Sequence, residues 1–167
     1  MKYAEARSRI NSGDLLAWTS KGMGSWYEIQ HHIIRILTES EYVHVACAWV
    51  IAGWVFLIEA SGAGVRLYPL SRRLPCYWIP TGLVWSNEIE EYALSHVGDE
   101  FSKIRAWLAW MGKLKERSSK IKHPWECAEF YKSLVRETGV VLHCKATPSA
   151  VVHAFLLRGC SLSFIAD

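Results

Sequence analysis

Three residues in this sequence have the types that catalysis by a thiol requires: Cys127, His44 and Glu59. A cysteine attacks through its thiolate, and a histidine that accepts the thiol proton makes the thiolate available. A carboxylate in turn holds the imidazole in one tautomer and stabilises its charged form. Together, the three residues would support transfer of an acyl group to sulfur.

Cys127 lies in the first turn of a predicted helix that ends at Gly139. Largely apolar residues recur along this helix with its own period, namely Cys127, Phe130, Tyr131, Leu134, Val135 and Thr138. Pro124 suits the first helical position. Unpaired N–H groups at this end would favour the thiolate and hold the oxyanion of an acyl-transfer intermediate. The alternative interpretation is an unreactive, buried cysteine.

His44 and Glu59 fall in the two strands of a predicted β-hairpin whose turn is Ala52-Gly53. With that turn, Ile51 faces Trp54, and His44 lies diagonally opposite Glu59 on one face of the sheet. Such diagonal neighbours are about 7–8 Å apart, within reach of long side chains. A loop longer by one residue would instead put them on opposite faces. We expect the cysteine helix to dock on the face that carries this pair.

The periodicity of the remaining segments predicts an α+β fold, with a small antiparallel sheet packed against helices in one domain spanning residues 1–167. The predicted strands are residues 15–18, 42–50, 54–60, 65–70, 76–80 and a short extended piece at 140–144. The predicted helices are residues 4–11, 25–37, 87–97, 101–111, 124–138 and 148–157. Residues 21–24 and 112–123 are predicted loops.

Charge and cysteine content limit the partners and the compartment. The net charge of +3 is too small to indicate nucleic-acid binding. Five cysteines, with no C-x-x-C pair, fit a reducing compartment better than a disulfide framework. The first residues lack the apolar core of a signal peptide, and the longest apolar run, residues 45–58, is short for a membrane span. We therefore expect a cytoplasmic protein without an integral membrane segment, with delivery by a phage or a secretion system left open.

A metal site is a competing interpretation of the C-terminal histidines and cysteines. His143, Cys144, His153 and Cys160 are close in the sequence. Adjacent residues such as His143 and Cys144 rarely bind one ion together, and the paired spacing of zinc ligands is absent. We therefore expect neither a metal ion nor another cofactor.

Three short motifs stand in the first half of the chain: Gly-Asp-Leu-Leu at residues 13–16, Tyr-Val-His-Val at 42–45 and Ile-Glu-Ala at 58–60. They resemble motifs of the circularly permuted papain-like hydrolases of the NlpC superfamily, in particular its YiiX-type branch. Residues 13–16, Gly-Asp-Leu-Leu, are similar to the opening glycine-aspartate strand of that family. Residues 42–45, Tyr-Val-His-Val, resemble its serine-histidine-valine strand, with tyrosine and valine where serine is usual just before the histidine. Residues 58–60, Ile-Glu-Ala, resemble the glutamate-alanine end of the next strand.

The second half continues the same order of motifs. Residues 98–102, Gly-Asp-Glu-Phe-Ser, are similar to a glycine-x-x-tyrosine-aspartate motif, with phenylalanine and serine at the last two positions. Residues 127–130, Cys-Ala-Glu-Phe, resemble the cysteine-serine-glutamate start of the catalytic helix. Residues 147–149, Thr-Pro-Ser, resemble the start of the final helix. The resemblance covers residues 13–150, with the histidine strand before the cysteine helix, as in the permuted members.

This resemblance implies a Cys-His-Glu triad, with Cys127 as nucleophile, His44 as base and Glu59 as the group that orients the imidazole. It also implies hydrolysis of amide or peptide bonds through an acyl-enzyme, usually in bacterial cell-wall peptides such as those derived from peptidoglycan. The predicted substrate contacts are Trp125, next to the nucleophile, together with Phe101 and Tyr42. The replacements at positions 101 and 102 affect the expected substrate contacts more than the triad.

Two alternatives remain at this stage. A lipid thioesterase or acyltransferase of the same permuted fold would use the same nucleophile, and the many tryptophans are compatible with it. Such relatives typically have a second histidine near the position of Glu59 and an asparagine before the cysteine, whereas this chain has Glu126 there. The other alternative is a non-catalytic binding module, because a fold alone does not establish function.

Overall fold

A six-stranded antiparallel sheet forms the centre of the fold in the computed structural model, which describes residues 1–19, 41–111 and 124–167. The strands are β1 (Leu15–Thr19), β2 (Tyr42–Ile51), β3 (Trp54–Ser61), β4 (Gly64–Pro69), β5 (Cys76–Ile79) and β6 (Ser163–Ile165). Their order across the sheet is β4-β3-β2-β1-β5-β6. All neighbouring pairs are antiparallel.

Five α-helices lie within the described residues, and together with the sheet they confirm the predicted α+β class. They are α1 (Tyr3–Ala6), α2 (Asn87–Ser95), α3 (Lys103–Trp110), α4 (Cys127–Glu137) and α5 (Pro148–Leu156). A 3₁₀ turn, Leu70–Arg72, connects β4 to β5. None of the described helices has the length and apolar character needed to cross a bilayer.

Five sequence-based assignments differ from the structure or fall outside the described residues. Residues 140–144 form no strand, whereas the unpredicted β6 completes one edge of the sheet. The first helix is shorter than predicted and ends at Ala6. The predicted helix at 25–37 and the predicted loops at 21–24 and 112–123 lie outside the described residues.

The sheet is buried on both faces, which explains the continuous apolar run in β2. On one face, Val45, Cys47 and Trp49 pack in a core that includes α4 and α5. On the other face, Ala46 and Ala48 pack in a second core with residues of α1, the 3₁₀ turn and β6. Neighbouring residues of β2 therefore contribute to different cores, as expected for a strand.

The hairpin of β2 and β3 has the predicted turn. Ala52 and Gly53 both have positive φ angles, 49° and 76°, as the two central residues of a type I′ hairpin turn require. The predicted pairing of Ile51 with Trp54 is confirmed, and the ladder continues as far as Cys47 and Ile58. Beyond that pair no further β2–β3 partners are formed, so the two strands separate just before His44 and Glu59.

Gly64, at the turn between β3 and β4, allows the segment before α3 to approach the sheet. Its φ angle is +92°, and a Cβ atom there would lie 2.7 Å from the backbone oxygen of Asp99. The same oxygen accepts a hydrogen bond of 2.8 Å from the Val65 amide, and the Gly98 amide donates to Val65 at 2.9 Å. These two hydrogen bonds attach the chain segment after α2 to the first residues of β4.

We expect Gly64→Ala to lower the free energy of unfolding by about 1–3 kcal/mol, because the new methyl group meets a backbone atom and the φ angle strains any other residue. Urea denaturation followed by tryptophan fluorescence measures this change. Gly62→Ala, in the same turn, is the control, because a Cβ atom at Gly62 has no neighbour within 4 Å. Equal losses in both variants would contradict this role of Gly64.

Candidate active site

His44 and Glu59 form a buried pair at the point where β2 and β3 separate. The Nε2 atom of His44 lies 2.6 Å from the Oε2 atom of Glu59. The ring of His44 packs against Trp18, its neighbour on β1, with 5.5 Å between ring centroids. The Glu59 side chain is 0% exposed. The hairpin register therefore brings together the two residues that the sequence placed on one face.

Two arginines, which the sequence analysis did not include, also bind Glu59. Arg66 lies directly opposite Glu59 on β4 and donates from Nε to Oε1 at 3.0 Å. Arg73, just after the 3₁₀ turn, donates to both carboxylate oxygens, and its guanidinium lies over the Trp18 ring. Desolvation raises the pKa of Glu59, but His44, Arg73 and Arg66 outweigh it and lower that pKa to about 2.

These contacts determine which form of His44 is present. Glu59 is ionised and only accepts hydrogen bonds, so Nε2 of His44 carries the proton in the bond between them. Burial lowers the pKa of His44, and the charges of Arg73 and Arg66 lower it further against the opposing effect of Glu59. His44 is therefore neutral at pH 7, with the lone pair on Nδ1. This is the tautomer that a general base at Nδ1 requires.

Cys127 is the first residue of α4, and Glu126 is its N-cap. The Glu126 carboxylate accepts the backbone N–H of Glu129 at 2.9 Å. The expectation that Pro124 occupies the first helical position is wrong, because α4 begins only at Cys127 and Trp125 forms a β-bridge with Phe101. The amides of Val45 and Ala128 donate to the Cys127 thiol, as expected for a sulfur at a helix start.

The thiol of Cys127 is nevertheless harder to ionise than the sequence suggested. Burial raises its pKa well above the usual value, and the charge and hydrogen bond of Glu126 raise it further. The two amide donors lower it, but they do not compensate. The expectation that the helix start would favour thiolate is therefore wrong for this conformation, because burial and the neighbouring Glu126 carboxylate both disfavour a negative charge on the sulfur.

Cys127 approaches the pair from the other face of the sheet. The helix α4 packs with Val45 and Cys47, whereas His44 lies on the Trp18 side, so the predicted docking of α4 on the His44–Glu59 face is wrong. Within the described residues, no hydrogen bond joins the thiol to His44. The thiol instead contacts the amide of Val45, one peptide unit from His44. It therefore lies beside the backbone of β2 next to His44.

The three predicted substrate contacts lie mostly in the core. Trp125 is 1% exposed and Tyr42 is 2% exposed. Phe101 is partly buried against the α4 side of the core. The ring of Tyr42 packs edge-on against Tyr77. Contact of these residues with a substrate stays a prediction, since none of them presents a large open surface.

Trp125 has a role that the sequence did not indicate. Its Nε1 atom donates to Asp99 at 3.1 Å, and the same carboxylate pairs with Nδ1 of His96 at 2.7 Å. The rings of His96 and Phe130 pack edge-on against the indole. These contacts anchor the segment just before Cys127 and give His96 the partner that the sequence did not identify.

The sequence positions of Arg66 and Glu126 could have indicated that they lie at the site. The turn at residues 61–64 places Arg66 opposite Glu59 by the same outward counting that was applied to the first hairpin. Glu126 stands directly before the cysteine in the sequence, and in the structure it is the N-cap of α4. Arg73 had no such signal, because it reaches Glu59 only after a 3₁₀ turn and a change of direction.

The side chains of the described residues do not form a metal site. No group of three or more His, Cys, Asp and Glu side chains there could hold a metal ion. The oxygens of Glu59 already bind His44, Arg66 and Arg73. A divalent cation at this carboxylate would have to displace both arginines.

Comparisons with known proteins identify a structural neighbour. No family model and no curated protein matches the chain. Among solved structures, the fold is similar to that of the metalloprotein YiiX from Escherichia coli O157:H7, described as DUF1105, with a TM-score of 0.56 and 16% identity. The match covers 79% of this chain and 68% of that one. At this identity the likeness concerns the fold alone, which is YiiX-like.

Proposed function

We propose that this protein is a cysteine hydrolase of amide or peptide bonds with a circularly permuted papain-like fold. In this proposal Cys127 is the nucleophile, His44 the base and Glu59 the residue that orients the imidazole. One observation carries it. The thiol lies at a helix start and contacts two backbone amides, one of them that of Val45, which directly follows on β2 a neutral histidine whose Nε2 is held by an ionised carboxylate.

The His44 side chain and the thiol lie on opposite faces of the sheet in the structure. The proposed reaction therefore begins with a shift of β2 against α4, in which substrate displaces the thiol from Glu126 and Nδ1 of His44 reaches the sulfur. The proton moves from Sγ to Nδ1, and the sulfur attacks the carbonyl carbon. Amides at the start of α4 hold the oxyanion. The His44 imidazolium then protonates the leaving amine, and water hydrolyses the acyl-enzyme with the same histidine as base. Catalytic hydrogen bonds are often incomplete before substrate binds.

The substrate class follows from the resemblance, since permuted relatives usually cleave bacterial cell-wall peptides. Nothing in the electrostatics of the pair favours an ester over an amide. A lipid acyl donor would form the same type of thioester on Cys127, so both classes belong in one assay. A non-catalytic module would form neither adduct.

The test is to trap the acyl-enzyme. The protein is incubated separately with peptidoglycan-derived peptides and with mixed micelles of glycerophospholipid, quenched in acid and analysed by intact mass. Peptide mapping then locates the adduct. A peptide acyl group on Cys127 supports the proposal, whereas a fatty acyl group would replace it with the lipid alternative. Cys144→Ser removes a partly exposed thiol as the matched control and should leave the adduct unchanged.

We expect His44→Ala to slow acylation of Cys127 by about 100- to 10,000-fold, the usual contribution of a general base. The physical reason is that His44 directly precedes Val45, whose amide contacts the thiol, and is the proposed acceptor of the thiol proton. Mass spectrometry of samples quenched at successive times measures the rate of acylation of Cys127. His153→Ala, on the exposed side of α5, is the control. Equal acylation rates in wild type and His44→Ala would exclude His44 as the base.

A further inference from the structure

Glu126 contacts the proposed nucleophile directly. Its side chain is nearly inaccessible, with 3% of the residue exposed. One oxygen, Oε2, accepts the Glu129 amide at 2.9 Å and caps α4. The other oxygen, Oε1, lies 3.1 Å from Sγ of Cys127, which donates its proton to it. The carboxylate therefore holds the helix start with one oxygen and the thiol with the other.

Glu126 differs from the other buried glutamates around the site in its charge environment. Glu59 binds Arg66 and Arg73, and Glu129 binds Arg105 on α3. Within the described residues, Glu126 forms no ion pair with a lysine or an arginine. Desolvation raises its pKa to about 7, against the hydrogen bonds from Cys127 and from backbone amides.

We propose that Glu126 controls the protonation state of Cys127, because its ionised carboxylate accepts the hydrogen bond of the S–H group and keeps the sulfur as a thiol, whereas a protonated Glu126 lets the thiol proton pass to His44. A proton from solvent first forms an O–H bond at Oε1 and removes the negative charge of the carboxylate. The S–H bond then breaks as its proton moves to Nδ1 of His44, and the negative charge stays on the sulfur. The protonated carboxyl then donates to the thiolate. Glu126 is thus a positioning residue for the reaction proposed above, on which this inference rests.

The charges around the pair explain why an ionised Glu126 keeps Cys127 as a thiol. Ionising the thiol beside an ionised Glu126 would place two negative charges in a buried site, which is costly without a cation. Glu129 adds a second carboxylate, but Arg105 neutralises it. The titratable groups of β2 beside Val45 are His44, which is neutral and bound to Glu59 on the other face of the sheet, and Cys47, which is buried on the α4 side with its pKa raised by burial. The Val45 amide is the remaining polar group of β2 at the sulfur.

The test is the pH profile of Cys127 alkylation by iodoacetamide in the full-length chain, resolved by peptide mass spectrometry. Glu126→Gln retains a capping oxygen and removes the charge. It should shift the apparent pKa of the thiol down by at least one unit, so that alkylation at pH 7 becomes about tenfold faster or more. Glu126→Ser, which retains a good N-cap, should shift the profile in the same direction. Glu91→Gln, on the exposed surface, should leave the profile unchanged.

An unchanged profile in both neutral variants would overturn the inference, and so would slower alkylation in both. Because alkylation needs no substrate, this outcome is separate from that of the acyl-enzyme assay. A shifted profile without any acyl adduct would retain the coupling of Glu126 to Cys127 and reject the hydrolase. An acyl adduct with an unshifted profile would support the hydrolase and reject the coupling of Glu126 to Cys127. Circular dichroism of each variant checks that α4 is retained.

Discussion

Glu59→Ala is expected to lower the free energy of unfolding by about 3–5 kcal/mol at pH 7, since removing one member of a buried ion pair leaves its partners uncompensated. The Glu59 side chain is fully buried, and Arg73 beside it is largely buried. The loss falls towards the low end because the Arg66 side chain is 35% exposed and can be solvated by rotating outwards. Urea denaturation of wild type and variant at pH 7 measures the difference.

The difference in the free energy of unfolding between wild type and Glu59→Ala should become smaller at acidic pH. The pKa of Glu59 is lowered from 4.5 to about 2 by folding, so its ionised form stabilises the native state above pH 4.5. That contribution is lost as the pH falls from 4.5 through about 2. The stability gap between wild type and Glu59→Ala should therefore narrow over this interval.

Glu91→Ala is the matched control, because Glu91 is exposed on α2. It should change stability by less than about 0.5 kcal/mol, as surface substitutions usually do. A gap between wild type and Glu59→Ala that stays constant down to pH 2, or a loss no larger than that of the control, would show that the arginines do not depend on Glu59.

Cys127→Ser is expected to reduce acyl-enzyme formation by at least about 1,000-fold, because a hydroxyl is far less acidic than a thiol and needs a stronger base. The base available here is weaker than an ordinary histidine, since burial lowers the pKa of His44. The measurement is the rate of peptide acyl adduct formation, together with release of the amine product.

The fold of Cys127→Ser must be checked, because its side chain is 7% exposed and packs in the core. A serine hydroxyl can still donate to Glu126, so the helix cap should survive and the melting temperature should change little. Cys144→Ser provides the comparison for loss of a thiol elsewhere. Undiminished acylation of Cys127→Ser would exclude Cys127 as the nucleophile and point to a different residue.

Local patterns were sufficient for much of the fold. The alternation of β2 and β3 and the Ala52-Gly53 turn determine the hairpin register, since a strand exposes alternate side chains and a two-residue turn fixes the pairing. The approach of His44 to Glu59 follows from that register. The apolar stripe of α4 likewise predicted a helix buried against the sheet.

Other features were decided by tertiary structure. The face on which α4 docks was predicted incorrectly, because a sheet buried on both sides offers two apolar faces and periodicity does not distinguish them. Arg73 reaches Glu59 through a turn whose direction is set by packing. The burial of Trp125 depends on Asp99 and His96, which come from a distant part of the chain.

The sequence by itself therefore determined which side chains share a strand face, whereas only the tertiary structure decided their electrostatics. A residue type specifies an acid or a base, but its pKa depends on burial and on charges brought near by folding. Glu59 and Glu126 show this most clearly. Two arginines and His44 lower the pKa of Glu59 to about 2, whereas burial raises that of Glu126 to about 7.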